Sequence, residues 1–210
     1  HRDLHLSLRR QRQMCIRDRL RSLPSLPYSI AIPKIESADE CRTFLKDLGT
    51  NILILPQIET PRGIATIESW DCSNIEFSGI GFGSADYCAS TGGDMGKASL
   101  AYGRGKIINA AALYNTLALD GVWLDFRDPD GCREETLYVK TMGFKGRFAI
   151  HPDQIKPIHD AYRPTTKELE WAKGVLEEAK TAGSGAFKYQ GKMVDAPVLA
   201  VARLIISRED

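Results

Sequence analysis

Residues 54–63 read ILPQIETPRG. An apolar run ends abruptly in an acid, Glu59, and then in Thr60-Pro61, a pair that suits the cap and first position of a helix. A short apolar run closed by a helix start reads as a buried strand feeding a helix. A carboxylate at that junction has two readings: a solvated loop acid, or a ligand at the mouth of an α/β site.

The same alternation continues on both sides. Residues 29–36 (SIAIPKIE) predict a strand and 37–49 (SADECRTFLKDLG) a helix, with Ser37 and Glu40 as a capping box and Gly49 as the stop. Residues 51–59 form the second predicted strand, in which Pro56 places the ladder near its end. Residues 75–83 (IEFSGIGFG) predict the third strand, followed by a long helix over about 95–117. GVWLDF (121–126) predicts the fourth strand, with a helix over 131–143, and GRFAIHP (146–152) the fifth. Residues 165–183 form an amphipathic helix with a Thr165/Glu168 capping box and a stripe of Leu169, Ala172, Leu176 and Ala179.

Strands alternating with helices imply an α/β fold, with a parallel sheet and helical crossovers. Five units are too few to close an eight-stranded barrel, so a doubly wound sheet competes. The strand ends favour the barrel. Glu36, Glu59, Asp86, Asp125 with Asp128, and His151 each fall just after a strand. In a (β/α)8 barrel those ends share the face that carries active sites.

Composition narrows the function. The chain has 210 residues, 43% hydrophobic and 26% charged, with a net charge of +1. Residues 1–30 hold seven Arg and two Asp, or +5, which leaves 1 − 5 = −4 on the remainder. A basic nucleic-acid face on the folded part is therefore excluded. No apolar run nears the ~18 residues of a membrane-spanning helix. Cys15, Cys41, Cys72, Cys88 and Cys132 are widely spaced, which reads as free thiols in a reducing compartment. Residues 1–27 lack the apolar core of a secretory signal. Their two Asp count against a mitochondrial transit peptide, and QMCIRDR (13–19) resembles translated adapter sequence, so this segment is set apart from the functional reading. The expected organisation is this Arg-rich segment (1–27), a catalytic α/β domain (28–160) and a C-terminal helical extension (161–210).

Glu59 and Asp86 are one βα unit apart, so they belong to neighbouring strand ends. Two carboxylates a few ångströms apart repel unless a proton or cation lies between them. A magnesium ion, which takes one or two carboxylates and completes its octahedron with water and substrate oxygens, suits such a pair. Around Asp86 the chain reads GIGFGSADY (79–87). Gly83 lets a ligand approach the backbone, and the amides of Ser84 and Ala85 are placed to hold a carboxylate. The string is not GxGxxG, and no Walker motif is present, so nucleotide binding has little support.

PKIESADE (33–40), ILPQIETPRG (54–63), FGSADYCASTGG (82–93), DGVWLDFRDPDGCREE (120–135), GRFAIHPDQI (146–155) and VDAPVLAVAR (194–203) occur in this order. Together they resemble the citrate lyase β-subunit-like group of the HpcH/HpaI aldolase family, which includes malyl-CoA and citramalyl-CoA lyases. The resemblance covers about residues 28–206 and implies a (β/α)8 barrel of which strands four to eight are represented. The first three strands, and the family's substrate-binding Arg on the third, have no counterpart, as in an N-terminally truncated chain. It further implies Mg2+, with Mn2+ as the alternative, bound by Glu59 and Asp86. Reversible cleavage of a 3-hydroxyacyl-CoA into a 2-oxo acid and an acyl-CoA is the implied chemistry. Asp195 matches the family's acid/base, which reaches a neighbouring subunit's site and so implies a homo-oligomer, trimer or hexamer. The other reading of Asp195, before Ala196-Pro197, is a plain helix N-cap. Gly183-Ser184-Gly185 supplies a flexible link for such an exchange. The implied location is the cytoplasm, or the mitochondrial matrix for a eukaryotic source.

Rival functions are a pyruvate-dependent metal aldolase, a citrate lyase β subunit acting on an acyl-carrier thioester, and an inactive fragment. Arg62 is expected in a surface ion pair. Arg104 and Lys106 are read as a solvated helix face, with CoA phosphates as the alternative. Asp125 and Asp128 are expected to make structural hydrogen bonds, His151 to pack at a strand end and His159 to lie on the surface.

Overall fold

The computed structural model describes residues 19–20, 22–49, 51–182 and 185–209. Most of the Arg-rich start and the Gly183-Ser184 link lie outside them. The chain divides into two compact units, His1–Ile158 and His159–Asp210.

In the first unit, strands β1 (Ser29–Ile32), β2 (Leu53–Ile58), β3 (Ile80–Phe82), β4 (Ala118–Asp120) and β5 (Gly146–Arg147) form one sheet in the order β1-β2-β3-β4-β5. Every neighbouring pair is parallel. The order separates the two competing architectures. A doubly wound sheet reverses its winding and places strands out of sequence, whereas a barrel adds each strand beside the last. The unit is an arc of a (β/α)8 barrel.

Helices α1 (Ala38–Leu48), α2 (Pro61–Thr66), α3 (Ser84–Thr91), α4 (Lys97–Leu113) and α5 (Pro129–Met142) carry the crossovers. Their starts follow the sequence signals. The Ser37 hydroxyl accepts from the Glu40 N–H, and the Glu40 carboxylate accepts from the Glu36 N–H. Thr60 Oγ1 accepts from the Gly63 N–H at 3.0 Å, and Pro61 opens α2. Gly49 ends α1 at φ 74°, in the left-handed region. Ile54, Ile58, Ile80, Phe82 and Ile107 are wholly buried in the core between sheet and helices. Each such side chain contributes roughly 1.5–3 kcal/mol by leaving water.

Several strands are shorter than their apolar runs. The β1–β2 ladder ends at Pro56, which has no N–H to continue it. Of residues 75–83 only Ile80–Phe82 form a strand, although Phe77 makes an isolated bridge to Ile54. The fourth strand is not GVWLDF but Ala118–Asp120. Gly121 sits where a Cβ would collide with Ser84, and residues 121–128 turn away as a loop that leaves Leu124 and Phe126 exposed. The helix expected to run to residue 117 ends at Leu113, because Asn115 adopts φ 49°.

A short helix, α6 (Ile155–Tyr162), follows β5. In the second unit, α7 (Thr166–Ala182) precedes a hairpin of β6 (Phe187–Tyr189) and β7 (Lys192–Val194), and α8 (Ala196–Ile206) follows. The Thr165/Glu168 capping box forms as expected. Ala172, Val175, Val194 and Ala202 make a small core of their own. No described helix is long and apolar enough to cross a membrane.

Candidate active site

Glu59 is the first residue after β2 and is only 8% exposed, so it is no solvated loop acid. The Gly83 N–H donates to Ile58 O at 3.0 Å and ties the end of β3 to the end of β2. A Cβ at Gly83 would collide with both Cβ and Oε2 of Glu59. The Glu59 carboxylate therefore lies against the Gly83 backbone, three residues before Asp86.

Asp86 stands in the first turn of α3, where a negative charge is favoured by the helix dipole. Its Oδ1 accepts from Lys34 Nζ at 2.7 Å, and the two side chains are 50% and 46% exposed. Gly83, the N-cap of α3, makes no side-chain cap, so the amides of Ser84 and Ala85 have no helical acceptor. Ser84 is buried, and its hydroxyl has no hydrogen-bond partner among the described residues. Unused donors beside two carboxylates fit a bound oxyanion or carboxylate better than an empty helix start.

Among the described residues no group of three or more His, Cys, Asp or Glu could cage a metal. Two hard carboxylate ligands, completed by water and substrate, are a set that Mg2+ accepts and Zn2+ rarely does. The Gly83 cradle and the donor set thus fit magnesium. Among the described residues thiol chemistry has no support: burial raises the pKa of Cys41 to about 12, and chiefly burial also raises those of Cys72, Cys88 and Cys132.

The remaining candidates take structural places. Arg62 pairs with Glu36 at 3.8 Å on the surface. Asp128 Oδ1 caps α5 through the Gly131 N–H at 2.9 Å, and Asp125 Oδ1 accepts from the Arg127 N–H at 3.0 Å. His151 stacks on Phe126 and accepts from the Asp153 N–H, half-exposed rather than packed at a strand end. His159 is exposed. Lys106 pairs with Glu68. Asp195 Oδ1 caps α8, accepting from the Val198 N–H at 3.3 Å.

Arg104 overturns both of its sequence readings. It is 1% exposed, on neither a solvated face nor a phosphate site. Its Nε and Nη2 both reach Asp120 at 3.1 Å, and Nη2 also reaches Glu135 at 2.8 Å. Arg147 Nη2 meets the same Asp120 at 2.8 Å. Burial disfavours the Arg104 cation, but the charges and hydrogen bonds of Asp120 and Glu135 outweigh it and raise its pKa. Nothing in the local pattern signals this: its partners lie in β4 and α5, beyond the reach of helical periodicity.

Comparison with known proteins follows the same residues. The profile of the HpcH/HpaI aldolase/citrate lyase family matches residues 8–152, starting inside the Arg-rich segment. A C-C bond lyase profile of the TIM-barrel fold matches residues 105–209. Mitochondrial citramalyl-CoA lyase of Mus musculus is 29% identical over 204 residues, covering 87% of this chain and 60% of that protein. The citrate lyase β subunit of Escherichia coli K12 is 34% identical over 162 residues, covering 75% and 54%. The chain thus spans little more than half the length of these relatives. The crystal structure of CitE from Mycobacterium tuberculosis with magnesium, acetoacetate and coenzyme A superposes with a TM-score of 0.73 at 30% identity, covering 87% of this chain and 68% of that one. With the family match running across both carboxylate motifs and more than half of the chain, this protein belongs to the HpcH/HpaI aldolase/citrate lyase family.

Proposed function

We propose that the protein is a magnesium-dependent carbon–carbon lyase that cleaves a 3-hydroxyacyl-CoA of the malyl-CoA or citramalyl-CoA kind into a 2-oxo acid and an acyl-CoA, or joins them in reverse. The observation that carries this reading is the buried Glu59 carboxylate held against Gly83, with Asp86 one turn further on. The CitE structure supports it, having been determined with magnesium, a small oxo acid and coenzyme A.

Glu59 and Asp86 would hold Mg2+, with Mn2+ as a substitute. When bound, the ion supplies a Lewis acid for charge that develops on the substrate's hydroxyl or keto oxygen. The chain's own residues do the rest. Gly83 gives the substrate access to the backbone, and the Ser84 and Ala85 amides orient its carboxylate at the start of α3. Cleavage breaks the bond between the carbinol carbon and the thioester α-carbon; the hydroxyl loses its proton and the α-carbon gains one. Asp195 is the residue we assign to that α-carbon proton, a reading supported by its match to the position of the family's acid/base. Its role in capping α8 engages only Oδ1. Service to a neighbouring subunit's site makes the active form a homo-oligomer, a trimer or hexamer, working in the cytoplasm or a mitochondrial matrix. The similarity to the E. coli citrate lyase β subunit supports a second substrate reading, an acyl-carrier thioester in place of CoA.

Calorimetric titration of the full chain with Mg2+ in the presence of pyruvate tests the site. Saturable binding that disappears in both Glu59→Gln and Asp86→Asn is expected. Binding that survives both substitutions sinks the lyase mechanism and leaves the fold alone. Assays with CoA and acyl-carrier thioesters then separate the two substrate readings.

A further inference from the structure

Lys34 occupies the turn after β1 with φ 55°. The other described non-glycine residues with positive φ are Asn74, Asn115 and Gln190. Asparagine tolerates the left-handed region through local hydrogen bonding, and Gln190 precedes Gly191 in the turn between β6 and β7. A lysine has no such local compensation. Strained backbone of this kind persists where the surroundings demand it, and it clusters at functional sites.

The demand comes from across the sheet. Lys34 Nζ lies 2.7 Å from Asp86 Oδ1, fifty-two residues later in sequence. β1 and β3 are not neighbours; β2 stands between them, and Glu59 stands at the end of β2. The lysine therefore crosses the end of β2 to bring its ammonium to one of the two carboxylates of the candidate metal site. Carboxylates that share a site are stabilised by a positive charge between or beside them. In this structure the chain supplies one itself.

We propose that Lys34 is the resident counter-cation of the Glu59/Asp86 site, holding Asp86 when no divalent ion is bound and yielding it when one enters. The inference rests on the metal-site reading given above. An ammonium in hydrogen-bond contact with Asp86 Oδ1 and a divalent ion on the same carboxylate repel strongly at such range, so the two exchange rather than coexist. The strained turn aims Lys34 at the pair, and the half-exposed position of both side chains leaves room for the ammonium to swing out.

Competition of this kind predicts a ranking. Calorimetric Mg2+ titration of the full chain should give Lys34→Met the tightest binding, wild type intermediate and Lys34→Arg the weakest, since a guanidinium grips a carboxylate more firmly than an ammonium does. An exposed ion pair of this kind corresponds to about 1.4- to fivefold between Met and wild type. Lys34→Gly, whose backbone accepts φ 55° without strain, makes the same comparison if Lys34→Met fails to fold. Thermal midpoints of the metal-free proteins control for folding. Unchanged or weaker Mg2+ binding in Lys34→Met or Lys34→Gly overturns the proposal, while loss of binding in Glu59→Gln and Asp86→Asn still upholds the metal site. Wild-type binding that is absent, or indifferent to those two carboxylates, overturns both.

Discussion

Two clusters of charge lie at the strand ends of the same sheet, and they are built differently. At the end of β4, Asp120 is 0% exposed and pairs with Arg104 and Arg147, with Glu135 closing the group around an Arg104 whose Nη1 alone is left buried without a partner among the described residues. Around β2 and β3, Lys34 and Asp86 are half in water, Glu59 is pressed against a glycine, and the backbone at Lys34 is strained. The first cluster uses its charges to satisfy one another out of water, which only close geometry makes tolerable. The second stands half in water at Lys34 and Asp86 and carries strain. Buried charge paired with buried charge reads as architecture; half-exposed charge on a strained turn beside a buried acid reads as a place kept for something else.

The sharpest way to break this contrast is Asp120→Asn. It takes the shared carboxylate from two buried guanidinium groups, leaving Glu135 as the one acid on Arg104, and the expected cost is about 3–5 kcal/mol in denaturant unfolding. A cost under about 1 kcal/mol would mean that the β4 cluster is not the structural one. Next in size is Gly83→Ala. The added methyl must displace Glu59, at an expected cost of about 1–3 kcal/mol, with weaker Mg2+ binding in the same protein. Normal metal affinity there would show that the Glu59 carboxylate does not need its place against Gly83.

The smallest effect belongs to a third pair, Lys106 and Glu68, intermediate in exposure. Hydrogen bonds from Lys106 and Asn109 lower the Glu68 pKa from 4.5. A depressed carboxylate contributes stability above its unfolded pKa and loses it as pH falls through the folded one. The stability difference between wild type and Glu68→Gln should therefore close as pH drops below about 4.5. A difference that stays constant through that range would place the pair outside the energetics of folding.

The Glu59/Asp86 half of this contrast is legible in sequence to the extent that it is local. Glu59 stands out because it interrupts an apolar run, and Thr60-Pro61 marks where the strand stops. Asp86 follows from the glycines around it, and the helix caps at Ser37, Thr60 and Thr165 are short-range signals that the structure reproduces. What escaped depends on contacts between distant elements. Arg104 looks like one cation on a helix until β4 and α5 enclose it. Residues 121–126 are apolar enough for a strand, but pairing with β3 and β5 selects the shorter Ala118–Asp120. Lys34 gave no warning, since the acid it serves comes two strands later.

The position of Arg104 also orders events during synthesis. It emerges in α4 before any of its acid partners, Asp120 and Glu135, has left the ribosome. Until they follow, α4 cannot bring Leu100 and Ile107 onto the sheet without dragging an uncompensated guanidinium out of water. Closure of this side of the sheet is thereby tied to the arrival of α5, and the nascent chain is held open until its acids are in hand.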